Sequence, residues 1–230
     1  MKKTSTIEMH RLSVEQFRQS EKLPLTVVLD DVRSLYNVGS IFRTCDAFRV
    51  EAVYLCGITA TPEPVMSDDG TTLLRDCTLK ASQEIHKTAL GAEESVAWRY
   101  FKDARQAVKA LKDDGVTVFA VEQCHGSTML QNFLPEYLEH IECLENPEHI
   151  ETSGSPTHRG YAIILGNEVK GVQQEVVDLC DDCLEIPQYG TKHSLNVAVT
   201  AGIAIWHFSN MFRLAVPATP VNYTNDIYLT

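Results

Sequence analysis

Short apolar runs alternate with amphipathic segments along most of this chain. Runs typical of buried strands stand at 25–29, 52–56, 96–98, 116–121, 161–165 and 184–187. Segments with the apolar spacing of helices stand at 13–22, 40–48, 103–113, 172–180 and 195–214. Strands that alternate with helices are typical of a parallel sheet with helices packed on it. The pattern therefore predicts an α/β fold with five or six strands.

The stretch from Tyr161 to Phe212 carries the densest pattern. It gives a strand, a glycine-containing loop and a helix, and then the same three pieces again. We expect the two loops to lie side by side at the carboxyl ends of parallel strands, which is where open α/β sheets bind ligands.

The remaining segments suggest the domain organisation. Residues 1–24 read as an N-terminal helical extension, with Ser13 as the cap of a short helix, and 25–214 as one domain. A polar, proline-rich stretch at 59–71 predicts a long surface loop, 145–160 a flexible insertion, and 215–230 a tail.

Composition and charge narrow the function. The chain has 230 residues and a net charge of −11, which argues against broad, nonspecific nucleic-acid binding but leaves room for a local basic face. No apolar run approaches the roughly 18 residues of a membrane helix, and the first residues do not resemble a signal peptide. Seven scattered cysteines suit reduced thiols in the cytoplasm. Cys180 and Cys183 have metal-ligand spacing but no second pair, so we expect no metal.

The first of three polar clusters is Asn37-x-Gly39-x-x-x-Arg43, after the strand at 25–29. Gly39 allows close backbone approach to a ligand or another chain, and Arg43 would lie near the first turn of a helix starting at Ser40. By pattern alone, an ordinary helix start with a solvated Arg43 is the more common explanation, since a single glycine near a helix start is frequent.

The second cluster is Gly166-Asn167-Glu168-x-x-Gly171, at the end of an apolar run. It could hold an adenosine or a phosphate. It lacks the spacing of a dinucleotide-binding fingerprint and of a P-loop, and a tight turn between strand and helix would look the same.

The third cluster runs from Ile186 and Gln188 to Ser194, Leu195 and Asn196. Ser194 is the expected N-cap of the last helix, whose free N–H groups could meet a polar ligand.

In this order and at these distances, the three clusters resemble the sequence motifs of the SpoU-type RNA ribose 2′-O-methyltransferases of the SPOUT superfamily. The matching segments are 37–43, 164–172 and 186–199, and 87–93 resembles a further family segment. Gln188 departs from the family, in which a methionine is frequent at this position.

The resemblance implies a parallel α/β domain with a C-terminal deep trefoil knot, a homodimer with active sites near the subunit interface, and S-adenosyl-L-methionine as the methyl donor. It also implies residue roles. Arg43 would handle the ribose 2′-OH, either as a base or as a charge that stabilises the alkoxide; Asn37 would position Arg43, Glu168 would brace the second loop, and Ser194 and Asn196 would orient the ribose or the loops. The implied donor-binding residues are Val121, Glu122, Gly166, Asn167, Gly171, Ile186, Gln188, Ser194 and Leu195.

The expected substrate is a structured RNA rather than DNA, because the acceptor is a 2′-OH. The short N-terminal segment favours a tRNA, and ribosomal RNA stays open. Two alternatives remain: a noncatalytic RNA-binding protein on the same fold, which need not keep the full set of polar residues, and an unrelated nucleotide-dependent enzyme such as a dehydrogenase, which the missing fingerprint disfavours.

Overall fold

The structure, a computed structural model, describes residues 11–134 and 159–215. Its strands are β1 (Leu23–Asp30), β2 (Val50–Cys56), β3 (Val65–Met66), β4 (Leu73–Arg75), β5 (Ala97–Phe101), β6 (Thr117–Val121), β7 (Thr128–Met129), β8 (Tyr161–Leu165) and β9 (Asp182–Glu185). Its helices are α1 (Val14–Gln19), α2 (Leu35–Ala47), α3 (Leu79–Ala89), α4 (Ala92–Ser95), α5 (Ala104–Asp113), α6 (Gln174–Val177) and α7 (Val197–Ala215).

Seven strands form one sheet in the order β5-β2-β1-β8-β6-β9-β7, and every neighbouring pair is parallel. This confirms the predicted α/β class. The predicted count of five or six strands was too low, because β7 has only two residues and shows no pattern of its own. Most of the predicted loop at 59–71 has no regular structure, but it contains β3, which pairs with β4 in a separate antiparallel hairpin.

Both faces of the sheet are covered, which explains why its central strands read as continuous apolar runs. On β1, Val27 and Leu29 join a core with residues of α2, α3 and α7, whereas Val28 joins a second core with residues of α5 and α6. The polar groups that remain accessible therefore gather at the strand ends.

The position of β6 corrects one expectation. The loops after β8 and β9 do not lie side by side, because β6 pairs with both strands and separates them. The end of β6 consequently lies between the two loops. The segment 161–212 could not indicate this, because β6 lies outside it.

Two helix boundaries also differ from the prediction. Helix α2 begins at Leu35 rather than at Ser40, because Ser34 Oγ accepts from the Asn37 N–H at 3.3 Å and caps the helix. Helix α6 is much shorter than 172–180, since its first predicted N–H, that of Val172, donates to the Glu122 carboxylate at 3.1 Å instead.

The extension at 1–24 contains α1 with the expected cap, because Ser13 and Gln16 each accept from the other's backbone N–H. Residues 1–10, most of the predicted insertion at 145–160 and all of the tail beyond 215 lie outside the described residues. In the described part of the chain, no helix combines the length and apolar character needed to cross a bilayer. The trefoil knot stays a prediction.

Candidate active site

A cleft of about 720 Å³ opens at the carboxyl ends of β6, β8 and β9. Its walls are the end of β6, the loop at 166–172, the segment after β9 and the first turn of α7. All nine residues predicted to bind a donor line it: Val121, Glu122, Gly166, Asn167, Gly171, Ile186, Gln188, Ser194 and Leu195. Of the predicted catalytic residues, Glu168, Ser194 and Asn196 line it as well.

The loop after β8 is closed on itself. Asn167 and Gly171 exchange two backbone hydrogen bonds, at 3.0 and 2.8 Å, and the Asn167 side chain accepts from the Val169 and Lys170 N–H groups. A Cβ at Gly166 would lie 2.1 Å from the Gly171 carbonyl carbon and from the Val172 nitrogen. Gly166 is therefore needed for close contact within the loop.

Asn167 thus has a structural task besides any contact with a ligand. Its amide Nδ2 donates to the Asp31 carbonyl at 2.8 Å, which ties the loop to the end of β1. The predicted role as a binding residue rests on its place in the cleft wall, because its side chain is occupied by these backbone contacts.

Glu168 joins this loop to the start of α2. Its carboxylate accepts from the Arg33 N–H at 3.0 Å, the Ser34 N–H at 2.9 Å and Asn37 Nδ2 at 3.0 Å. Burial works to raise the pKa of Glu168, but these donors outweigh it and hold the pKa below its ordinary value. Glu168 consequently joins the second motif to the first, through two backbone N–H groups and an amide rather than through positively charged side chains.

Asn196 joins the third motif to the same network. Its Nδ2 donates to Asn37 Oδ1 at 3.1 Å, while its Oδ1 accepts from the Ala198 N–H at 2.9 Å and the Val199 N–H at 3.4 Å. Asn196 is therefore the N-cap of α7, and the prediction of Ser194 was wrong. Because Ser194 is exposed on the cleft wall, two residues before the cap, its hydroxyl is available to a ligand.

Glu122 supports the opposite wall of the cleft. Its carboxylate accepts from the Val172 N–H at 3.1 Å and from the Gln123 N–H at 2.9 Å. Gly171 has a positive φ of 69°, and a Cβ there would lie 2.1 Å from Glu122 Oε2. Only glycine suits both the backbone conformation and the contact.

Several supporting residues were missed by the sequence reasoning. Asp30 is buried at the end of β1, and its carboxylate accepts from the Gln173 N–H at 3.3 Å and from Gln173 Nε2 at 3.2 Å. Burial raises the pKa of Asp30. Gln123 and Thr200 line the cleft. The only signal in the sequence was their position, Asp30 directly after the predicted strand at 25–29 and Gln123 two residues after the one at 116–121.

Arg43 does not line the cleft of its own chain. It lies in the third turn of α2 rather than the first, because that helix begins five residues earlier than predicted. Its side chain is exposed, and no hydrogen bond or ion pair joins it to other residues in 11–134 or 159–215. Gly39 lies inside the same helix, where a Cβ would come within 2.2 Å of the Ile85 carbonyl oxygen, so its close approach is to α3 of the same chain.

These features define a parallel α/β protein with a ligand cleft that three polar motifs build at the carboxyl ends of its strands. The sequence profile of the SpoU rRNA methylase family matches residues 65–206, which is more than half of the chain and includes the second and third motifs. The chain belongs to this family, and the recognition as an SpoU-type methyltransferase is confirmed.

Two curated relatives indicate the range of the family. The chain is 24% identical over 182 residues to a 23S rRNA (guanosine-2′-O-)-methyltransferase of Neisseria meningitidis, with 79% of this chain and 56% of that protein covered. It is 26% identical over 199 residues to a tRNA (guanosine(18)-2′-O)-methyltransferase of Thermus thermophilus, with 86% and 81% covered. The chain thus spans little more than half of the first relative and most of the second.

Solved structures show the same fold. The TrmH/SpoU tRNA modifying enzyme of A. aeolicus superposes with a TM-score of 0.60 at 21% identity, with 87% of this chain and 83% of that chain covered. The AdoMet-bound rRNA methyltransferase of Sinorhizobium meliloti superposes with a TM-score of 0.59 at 21% identity, with 87% and 62% covered.

Proposed function

We propose that this protein transfers a methyl group from S-adenosyl-L-methionine to a ribose 2′-OH in a structured RNA. The observation that carries the proposal is the network of Glu168, Asn37 and Asn196, which joins all three family motifs beside one cleft. A protein that only binds RNA has no need of this arrangement at the wall of a small-molecule cleft. We therefore rank the noncatalytic alternative second.

The cleft suits the methyl donor in size and chemistry. Its volume of about 720 Å³ lies within the range of about 300–1,000 Å³ that is usual for small-molecule sites. Val121, Leu165 and Ile186 offer an apolar surface for a base, and the Glu122 and Glu168 carboxylates offer negative charge near a cation. When bound, S-adenosyl-L-methionine supplies a methyl group that is activated by the positive charge of its sulfonium.

The chain's own residues position the acceptor. An arginine guanidinium stays protonated at any ordinary pH, so Arg43 acts here as a charge that orients the 2′-oxygen and stabilises it as its proton leaves. The Ser194 hydroxyl, exposed on the cleft wall, holds the ribose. Asn37, Glu168 and Asn196 keep the three motif segments in register and are positioning residues.

A homodimer would complete this site. Helices α2 and α7 lie side by side. A hydrogen bond joins Asn37 and Asn196 at the starts of the two helices, and further along the ring centroids of Phe48 and Trp206 lie 5.8 Å apart. On α7, Val199, Ile203 and Trp206 are 51%, 38% and 53% exposed and follow the spacing of one helix face. A second copy that covers this face would approach Arg43, which is the role that the resemblance gives to the dimer interface.

The substrate we favour is a tRNA, with ribosomal RNA as the alternative. The basic groups proposed to meet RNA are Arg11, Arg18, Lys22, Arg33, Arg43 and Arg49. Arg18 and Lys22 line a second groove of about 1310 Å³ together with His86 and Lys87, although Glu63, Glu93 and Glu94 line it too. Arg18 donates to the Glu94 carbonyl at 2.8 Å, so part of its hydrogen-bonding capacity is used within the chain rather than for RNA.

The test is transfer of labelled methyl from S-adenosyl-L-methionine to total tRNA and, in parallel, to ribosomal RNA. Nuclease digestion then locates the label. A 2′-O-methylnucleotide in the tRNA pool is the expected result, and one in the ribosomal pool alone would correct the substrate class. Donor binding by calorimetry without transfer to either pool would favour the noncatalytic alternative, and the absence of donor binding would reject the methyltransferase proposal.

A further inference from the structure

Two cysteine thiols are in contact beneath one wall of the cleft. Cys183 lies on β9 and Cys124 lies three residues beyond the end of β6, the strand that pairs with β9. Cys183 Sγ and Cys124 Sγ lie 3.0 Å apart. A disulfide bond is about 2.05 Å long, so the two sulfurs need to approach by only about 1 Å to form one.

The two thiols differ in their access to solvent. Cys183 is 6% exposed, and burial together with its contact to Cys124 raises the pKa of its thiol. Cys124 is partly exposed in the turn that follows β6. A soluble oxidant would therefore reach Cys124 first. The raised pKa of Cys183 lowers the reactivity of its thiol, so its resolving role rests on the 3.0 Å contact between the two sulfurs.

The other described cysteines lack such a neighbour at bonding distance. The Cys77 thiol donates to the Thr61 carbonyl at 2.9 Å and the Cys180 thiol to the Val176 carbonyl at 3.2 Å, while Cys45 and Cys56 are buried in the two cores. The spacing of Cys180 and Cys183 in the sequence suggested a pair, but the thiol in contact with Cys183 is that of Cys124.

The pair is joined to the cleft through Glu122. The Cys183 thiol donates to the Glu122 carbonyl at 3.2 Å, and the Glu122 carboxylate accepts from the Val172 N–H in the loop after β8. Glu122 and Gln123 line the cleft, directly before Cys124 in the chain. A bond between Cys124 and Cys183 would remove the thiol donor from the Glu122 carbonyl and pull the segment 122–124 towards β9.

We propose that Cys124 and Cys183 form a reversible disulfide in response to a peroxide, and that this bond weakens donor binding in the adjacent cleft. The formation of the disulfide concerns the thiols alone, whereas its effect on donor binding rests on the proposed function. The site would make the methyltransferase cleft sensitive to oxidants without any change in its own polar network.

The chemistry balances with peroxide as the oxidant. The Cys124 sulfur attacks one peroxide oxygen, the O–O bond breaks, and a sulfenic acid and one water form. The Cys183 sulfur then attacks the sulfenic sulfur, an S–S bond forms, and the hydroxyl leaves as a second water with the thiol proton. Two sulfurs together lose two electrons, and the peroxide gains them. A dithiol reductant reverses the change by thiol–disulfide exchange.

The experiment treats the full-length protein with hydrogen peroxide, blocks the remaining thiols with iodoacetamide and maps the peptides by mass spectrometry. Calorimetry then measures S-adenosyl-L-methionine binding by the reduced, oxidised and re-reduced protein. We expect a linked peptide pair containing Cys124 and Cys183. We also expect affinity to fall about tenfold on oxidation, a usual size for coupling between sites, and to return on reduction.

Three variants make the result specific. Cys124→Ser and Cys124→Ala should bind the donor like the wild type and lose the response to peroxide, whereas Cys77→Ser, the matched control, should keep it. Oxidised protein without a Cys124–Cys183 linkage would overturn the proposal, and a linkage with unchanged donor affinity would overturn its regulatory half. If the reduced protein fails to bind the donor, the proposed function is rejected, and the peptide map still decides whether the disulfide forms.

Discussion

At the scale of single residues, Arg43 gives the sharpest test of the proposed reaction. Arg43→Ala removes the exposed guanidinium from the third turn of α2, and Arg43 is not among the residues that line the cleft. We expect methyl transfer to fall by about 10²-fold or more, as when a charge that stabilises a developing oxyanion is removed, while donor affinity stays near that of the wild type. Single-turnover transfer assays and calorimetry measure the two quantities separately.

The control for Arg43 is Lys109→Ala, which removes one positive charge from the exposed side of α5, on the opposite face of the sheet. It should leave transfer unchanged. Wild-type turnover in Arg43→Ala would remove Arg43 from the proposed mechanism, and loss of donor binding in that variant would show that its effect is structural.

Glu168 gives a prediction about pH. Because its pKa is lower in the folded protein, the ionised carboxylate stabilises the fold above the ordinary carboxyl pKa, and this stabilisation disappears as the pH falls through the folded value. Glu168→Gln should cost about 1 kcal/mol at neutral pH, since the carboxylate is exposed and its bonds are partly screened. Urea unfolding at pH 7 and at about pH 3 should show this difference shrinking in acid.

The comparison for Glu168 is Glu51→Gln, at an exposed residue near the start of β2. Its stability difference from the wild type should be small at both pH values. If the stability lost in Glu168→Gln were the same at neutral and acid pH, the role of ionisation would be contradicted. The amide does not ionise, so only the wild type should lose stability as the pH falls.

The residues of the site were predictable where the motif itself carries the geometry. The nine donor-binding residues that the motifs implied all line one cleft, whereas the hydrogen bond of 3.0 Å between Glu168 and Asn37 was not predicted. Asp30 could not be predicted in the same way, since its contact with Gln173 spans 143 positions and leaves no local pattern. Separations of this kind are decided by the order of the strands, which short motifs do not encode.

At the scale of elements, the start of α7 couples helix stability to the site. Asn196 caps the helix through its Oδ1 and holds Asn37 through its Nδ2. Asn196→Ala loses both functions and should cost about 1 kcal/mol of stability together with activity. Asn196→Asp is as good a cap but cannot donate to Asn37, so stability should stay near the wild type while transfer falls.

Thermal unfolding and transfer assays on the two variants separate these functions. Equal losses of stability in both variants would show that the contact with Asn37, rather than the cap, holds α7 in place. Full activity in Asn196→Asp would show that the link between the first and third motifs is dispensable for the reaction.

The elements themselves were predicted best where apolar runs are long. The strand predicted at 25–29 lies within β1. The strand predicted at 161–165 coincides with β8. Helix starts were predicted less well. Ser34 caps α2 and Asn196 caps α7, and another polar residue that could cap each helix stands nearby in the sequence. The separation of β8 from β9 by β6 was missed, because strand order depends on long-range pairing that a local pattern does not contain.

At the scale of the whole molecule, the exposed face of α7 decides whether the site is complete in one chain. Trp206→Glu places a charge on the proposed contact surface, where Ile203 and Val199 are also exposed. A charge that would be buried against a second copy costs several kcal/mol, so we expect the variant to be monomeric in light scattering. Its donor binding should persist, because Trp206 does not line the cleft, whereas transfer should be lost for want of a correctly placed Arg43.

The matched control for Trp206 is Leu79→Glu, which introduces the same charge at an exposed apolar residue in the first turn of α3. It should leave the oligomeric state and transfer unchanged. A monomeric Trp206→Glu that transfers methyl at the wild-type rate would show that one chain suffices, and that Arg43 reaches the acceptor from its own subunit.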